Sequence, residues 1–218
     1  MTPVVELESV SKLYGTFVAL RKISLNIEQG RCYVLLGENG AGKSTLLRLI
    51  AGLIRPTHGS VHVFGDKPHE ARERIGYMSH ASMLYDEFSG AENLRYFAGL
   101  YRDRECMRPE AVLKAVGLDP SLGRPVGQYS QGMRQRTSLA RVLLAKPELL
   151  LLDEPFSNMD ATSARQMLDL LAALRAEGKT IVLTTHQREL AEPVADFLLT
   201  LQAGSVASLL ETSAGAPQ

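Results

Sequence analysis

The sequence predicts an α/β fold in which antiparallel strands lead into a core of alternating strands and helices, with a block of helices inserted midway. Three observations predict it. The apolar runs Tyr33-Val34-Leu35-Leu36 and Leu149 to Leu152 read as buried strands, and Thr180 to Thr184 as a further strand. Helical patterns follow the first two, Ser44 to Ile54 and then Ala161 to Ala176, the latter closed by Gly178. Stretches that mix β-branched and polar residues between Gly or polar turns surround them, as hairpin strands do.

Those hairpin strands are Val4 to Val10, Ala19 to Ile27, Ser60 to Phe64 and Ile75 to Ser79, expected to pair antiparallel. In the middle, Ser89 and Glu92 form a capping-box pair ahead of Leu94, Phe97 and Leu100, which share one helix face. Pro109 to Val116, with Gly117 behind it, suits a short helix and its stop. From Ala203 onward Gly, Ala and Ser dominate, and the tail 212–218 is expected to be loosely ordered. A chain of 218 residues, 45% apolar, has material for one core with a modest appended lobe, and one domain over 1–218 is expected, its helical part at about 81–140.

Charge and composition narrow the function. Lys plus Arg equal Asp plus Glu at 24 each, so no bulk electrostatic force draws the chain to nucleic acid or an anionic membrane. No apolar stretch approaches the roughly eighteen residues a membrane helix needs, and the N-terminus lacks the basic and apolar regions of a signal peptide, so a cytosolic location is expected. Cys32 in a buried strand and Cys106 in a polar segment read as two reduced structural thiols. His58, His62 and His69 straddle a Gly59 turn without the spacing of a metal site.

The chemistry concentrates in Gly37-Glu38-Asn39-Gly40-Ala41-Gly42-Lys43-Ser44-Thr45, placed between a buried strand and a helix. In that context the glycines let successive N–H groups curl around phosphates at a helix N-terminus. Lys43 neutralises the terminal phosphates and Ser44 offers an oxygen to a magnesium ion, so the motif implies ATP or GTP. Downstream, Leu149 to Leu152 run into Asp153-Glu154-Pro155, two carboxylates at the carboxyl end of a strand, the edge where ligands bind such sheets. Asp153 can hold magnesium and Glu154 can accept a proton from an attacking water. Thr180 to Thr184 delivers His186 to the same edge, where imidazole can hydrogen-bond the terminal phosphate or the water.

With these motifs in order, the chain from about Val4 to Gly204 resembles the nucleotide-binding subunits of ATP-binding cassette (ABC) transporters. The distinguishing segment is Tyr129-Ser130-Gln131-Gly132-Met133-Arg134-Gln135-Arg136, similar to the family signature and placed before the acidic strand. The resemblance implies a P-loop NTPase of ABC ATPase type, with a RecA-like core, an N-terminal antiparallel β subdomain and an inserted α-helical subdomain. It further implies ATP and Mg2+ as cofactors and a head-to-tail homodimer in which Ser130 and Gly132 close on the phosphate held by the other copy. Tyr14 matches the aromatic on which the family stacks adenine, and Asp160, in Ser157-Asn158-Met159-Asp160, matches the loop that couples the two halves.

Three positions depart from the family pattern. Tyr129 and Met133 replace a leucine and a glutamine at the edges of the signature, and neither change removes Ser130 or Gly132. His80 stands where most relatives have a glutamine that touches magnesium; imidazole is a poor ligand for that hard cation, so His80 is read as a coupling residue acting through hydrogen bonds. Ile75 to His80, Leu84 to Glu87 and Glu92 to Leu94 look like the haem-exporter branch of cytochrome c maturation, and similar segments occur in drug-type exporters. By the resemblance, the chain is a peripheral ATPase on the cytoplasmic face of the inner membrane, joined to integral membrane permease subunits near His80 to Tyr101. A soluble cassette ATPase, such as the iron–sulfur assembly type, is the alternative class.

Overall fold

The computed structural model describes residues 3–101 and 105–212. In chain order its elements are β1 (Pro3–Tyr14), β2 (Phe17–Glu28), β3 (Cys32–Leu36), α1 (Lys43–Ile50), β4 (His58–Val63), β5 (Ile75–Met78), α2 (Gly90–Leu100), α3 (Pro109–Ala115) and α4 (Gln131–Leu143). There follow β6 (Leu149–Asp153), α5 (Ala161–Ala176), β7 (Thr180–Thr184), α6 (Arg188–Ala191), β8 (Phe197–Gln202) and β9 (Ser205–Glu211). One sheet has the order β5-β6-β7-β3-β8-β9, parallel except for the β8–β9 hairpin. The other is antiparallel, β2-β1-β4.

The period of two along each buried strand explains why the large sheet has almost no polar positions at its centre. Cys32, Val34 and Leu36 of β3 point to one face, where Leu150, Leu152, Ile181 and Leu183 join the helical residues Val112, Leu139 and Leu171. Tyr33 and Leu35 point to the other, where Leu149, Leu151 and Val182 meet Leu46, Leu47 and Ile50 of α1 and the inner face of the antiparallel sheet. Each fully buried leucine of this kind contributes about 1.5–3 kcal/mol relative to exposure. α1 is therefore clamped between two sheets, which fixes the loop at its N-terminus.

Several boundaries differ from the sequence expectation. Ile75–Met78 does not join the antiparallel hairpins; it pairs parallel with β6 at the edge of the large sheet. Its alternation reflects an edge position, with Gly76 and Met78 buried and Ile75 and Tyr77 half-buried. α1 ends at Ile50, not Ile54, because Gly52 at φ +70 turns the chain while its N–H bonds the Leu49 carbonyl at 3.0 Å. The Ser89/Glu92 capping box is present at α2. Of the three residues expected on its apolar face, Leu94 is buried and Phe97 half-buried, but Leu100 is exposed.

The β8–β9 hairpin falls where only small residues had been noted. Its connection is Ala203-Gly204, both at positive φ (47° and 80°), the conformation a tight hairpin of right-handed twist requires. Thr212 is not loose: its N–H bonds the Asp196 carbonyl at 2.9 Å and its hydroxyl bonds the Ala195 carbonyl. The rest of the expected tail, 213–218, lies outside the described residues.

Asp196 anchors the start of β8. Fully buried, it accepts hydrogen bonds from the Cys32 N–H (2.8 Å), Arg175 (2.8 Å) and Arg31 (3.2 Å). Cys32 and Cys106 are free thiols. Burial, reinforced by the Asp196 carboxylate, pushes the Cys32 thiol up to about 12. A pKa raised on folding contributes stability that is complete below the unfolded value and lost as pH climbs toward the folded one. Chemical denaturation is therefore expected to show stability falling between pH 9.0 and about 12, and Cys32→Ala to flatten that limb. At neutral pH iodoacetamide should modify Cys106 in the native protein and leave Cys32 unlabelled by mass spectrometry.

Candidate nucleotide site

Three strand ends converge because β7 lies between β6 and β3. Asp153 is in register with Thr184, and Thr184 with Leu35, so the carboxyl ends of all three meet at one edge. Beyond Leu36 the chain enters the glycine loop. Gly37 takes φ +146, and a Cβ there would sit 2.4 Å from the Leu201 carbonyl oxygen. Gly42 takes φ +103 as the residue that opens α1, with no side chain capping the helix. The first N–H groups of α1 are thus left without a protein side chain and face the loop's hollow.

Lys43 folds back over that hollow, its Nζ donating to the carbonyls of Gly37 (2.6 Å) and Glu38 (3.1 Å). Ser44 Oγ donates to Asp153 Oδ1 at 3.0 Å, and Thr184 Oγ1 donates to the same oxygen at 2.8 Å. Thr184 Oγ1 also accepts from the Glu154 N–H at 2.9 Å. Glu154 itself adopts φ +54, uncommon for a residue with a Cβ, which turns its carboxylate out of the strand direction. His186 Nδ1 lies 3.1 Å from Glu154 Oε2. The Ser44 hydroxyl and the Asp153 carboxylate are hard oxygens side by side, a donor set suited to magnesium, which takes few protein ligands and completes its shell with phosphate and water.

Apart from Thr184, which is fully buried, these groups line a cleft of about 830 Å³ together with Asn39, Gly40, Ala41, Thr45, Tyr14 and His80. Tyr14 faces Phe17 across the β1–β2 turn, and Lys12 Nζ lies 5.1 Å from the centre of its ring. Phe17 and Ala19 also line the cleft, and sequence reading missed both, as it missed Thr184. The signal for Thr184 was present: Thr184-Thr185 is the first polar pair after a wholly apolar run.

Ser130, Gly132 and Asp160 are not among the residues lining the cleft. They form a second cluster. Ser130 caps α4, its Oγ accepting from the Met133 N–H at 3.3 Å. Asp160 caps α5, accepting from the Ser163 N–H (2.9 Å) and hydroxyl (2.8 Å), which hold its carboxyl below the usual range. Gly132 joins the two caps, since a Cβ there would lie 2.3 Å from Ser163 Oγ. The Tyr129 hydroxyl accepts from the Gly90 N–H at 3.1 Å, and Met133 sulfur accepts from Arg124 at 3.2 Å, so both unusual residues find partners.

Comparison with known proteins agrees with this arrangement. The ABC transporter family model matches residues 20–157. The chain is 38% identical to the ABC transporter ATP-binding protein NatA of Bacillus subtilis, over 86% of this chain and 80% of that protein. It is 36% identical to a Nod factor export ATP-binding protein I of Cupriavidus pinatubonensis over 94% of this chain, and 39% identical to a fluoroquinolones export ATP-binding protein of Mycobacterium tuberculosis over 88%. The matches span 65% and 64% of those two proteins, respectively. Among solved structures, the dimeric ATP-binding cassette MJ0796 bound to ADP and Pi superposes with a TM-score of 0.85 at 28% identity, covering 95% of this chain and 98% of that one. The cbiO1 cassette of Clostridium perfringens, part of the ABC transporter complex cbiONQ, gives 0.85 at 25% identity, covering 97% and 89%. The glycine loop, the paired carboxylates and the two capped helices thus lie in a P-loop fold whose ligands are ATP and Mg2+, and the chain belongs to the ABC transporter family as an ATP-hydrolysing cassette.

Proposed function

We propose that this chain is the ATPase subunit of an exporter whose membrane path is formed by separate subunits. The observation that carries the reading is the division of the machinery: a cleft with loop, carboxylates and His186 in one place, and Ser130, Gly132 and Asp160 grouped outside it. Two copies arranged head to tail would let each exposed Ser130 cap complete the other's cleft. Within a closed site, Lys43 trades its loop carbonyls for the terminal phosphates, Glu154 takes a proton from the attacking water, and His186 steadies the charge that develops. Ser44 and Asp153 would hold magnesium, which when bound screens the phosphate charge. Tyr14, with Phe17 beside it, gives the base a flat apolar surface.

No helix among the described residues is long and apolar enough to cross a membrane, so we assign the cargo path to integral partners and the chain to a peripheral place on the cytoplasmic face. The partners' docking face is assigned to the segment from His80 to Tyr101, where Met83, Tyr85, Tyr96 and Leu100 are exposed. His80 lies at the junction of this segment and the cleft, the position a coupling residue needs. Relatives named for Nod factor and fluoroquinolone export favour another small ABC-type exporter over the haem-export reading, which rests on His80 and the nearby segments Ile75 to His80, Leu84 to Glu87 and Glu92 to Leu94.

Three measurements test this. Glu154→Gln is expected to bind ATP yet lose turnover by about 10²–10⁴-fold, the usual worth of a positioned general base. Thr184→Val, which removes the shared bond to Asp153 and Glu154, should lower kcat by about 10- to 100-fold with the fold intact by circular dichroism, as expected for a hydrogen bond to a charged group. Lys43→Ala and Ser130→Ala should each be inactive alone and regain turnover when mixed, because a mixed pair contains one intact site. No recovery on mixing would exclude the head-to-tail pair.

A further inference from the structure

Arg141, in the last turn of α4, is a half-buried cation with no counter-charge among the described residues. Its Nε and Nη2 atoms are shielded from solvent and meet no hydrogen-bond acceptor. The Phe97 ring, 5.2 Å from the guanidinium carbon, returns only part of the lost hydration. Burial accordingly pulls the Arg141 pKa below its usual value. Other arginines on the surface behave differently: Arg74 pairs with Glu148, Arg95 with Glu110 and Arg188 with Glu192. Two guanidinium nitrogens held out of water without an acceptor destabilise the isolated chain, so their presence points to an anion supplied from outside, approaching from the side that Nη1 still opens to solvent.

The surroundings define what can supply it. Phe97 belongs to a contiguous aromatic cluster with Tyr96 (5.5 Å between centroids) and Tyr85 (6.3 Å), and Tyr85 continues to Phe88 at 5.4 Å. Tyr85, Phe88, Tyr96, Leu100 and Tyr101 of this face are exposed. An aromatic rim with one unpaired cation beneath it complements a single carboxylate set among apolar residues. A phosphate-rich lipid surface would call for several free cations, and Arg95 beside this face is already paired.

We propose that this face receives an amphipathic segment of the membrane partner that carries one Asp or Glu among apolar residues, and that this carboxylate pairs with Arg141. The inference rests on the reading of the chain as an exporter ATPase and names the partner's chemistry. Arg141 acts here as a specificity residue for docking and takes no part in hydrolysis.

The chain contains no tryptophan, so a helical Leu/Ala peptide with one Trp and a central Glu can be followed by its own fluorescence. Wild type should bind it about tenfold tighter than a twin with Gln in place of Glu, a difference of about 1.4 kcal/mol. Arg141→Met should bind the two alike, keep basal ATP turnover, and melt about 2–4 °C higher as the isolated chain, because an uncompensated cation has been removed. Equal binding of both peptides to wild type, or binding of neither, would overturn the proposal. So would an unchanged or lowered melting temperature for Arg141→Met, which would mean that the guanidinium already has its anion within the chain. Loss of ATP turnover in wild type would instead count against the exporter ATPase reading itself.

Discussion

One hydroxyl holds the candidate site together. Thr184 Oγ1 joins Asp153 Oδ1 to the backbone of Glu154, and it can do so because β7 is paired in register with both β6 and β3. Parallel pairing brings three strand ends to one edge, and the bond then fixes which way the two carboxylates diverge. Asp153 turns inward to Ser44, whereas Glu154, at positive φ, turns toward His186. Two adjacent acids in sequence thereby face different parts of the cleft and can carry different chemistry.

The second cluster is built by the same economy of means. Two helices start side by side, each capped by its own side chain, and Gly132 is the close contact that lets them approach. A side chain at this position would push the Ser130 cap away from the Asp160 cap, so the glycine preserves a spacing and supplies no chemistry of its own.

Much of this was legible in the sequence. The glycine loop, the buried strands and the two carboxylates announce themselves because their chemistry requires fixed residue types at fixed spacing. Thr184 and Phe17 were harder to see, since their importance depends on which strand or turn lies beside them, and single-chain periodicity carries no information on neighbours. Ile75–Met78 was assigned to the wrong sheet for the same reason: alternation reports exposure of one face, and an edge strand of a parallel sheet shares that pattern. The last hairpin was missed because Ala203-Gly204 lacks the Asn or Asp that usually marks such a turn, and Ala203 adopts its left-handed conformation under the pull of the strands on either side.

That hairpin is also the back wall of the glycine loop. The Gly204 N–H bonds the Ala41 carbonyl at 3.2 Å, the Arg21 N–H bonds the Gly204 carbonyl at 2.7 Å, and the Leu201 carbonyl is what makes Gly37 intolerant of a side chain. The residues that shape the loop are therefore made well after the loop itself. A growing chain exposes the phosphate motif before its cradle exists, and competence to hold nucleotide waits until the β8–β9 hairpin has been made and has folded against it.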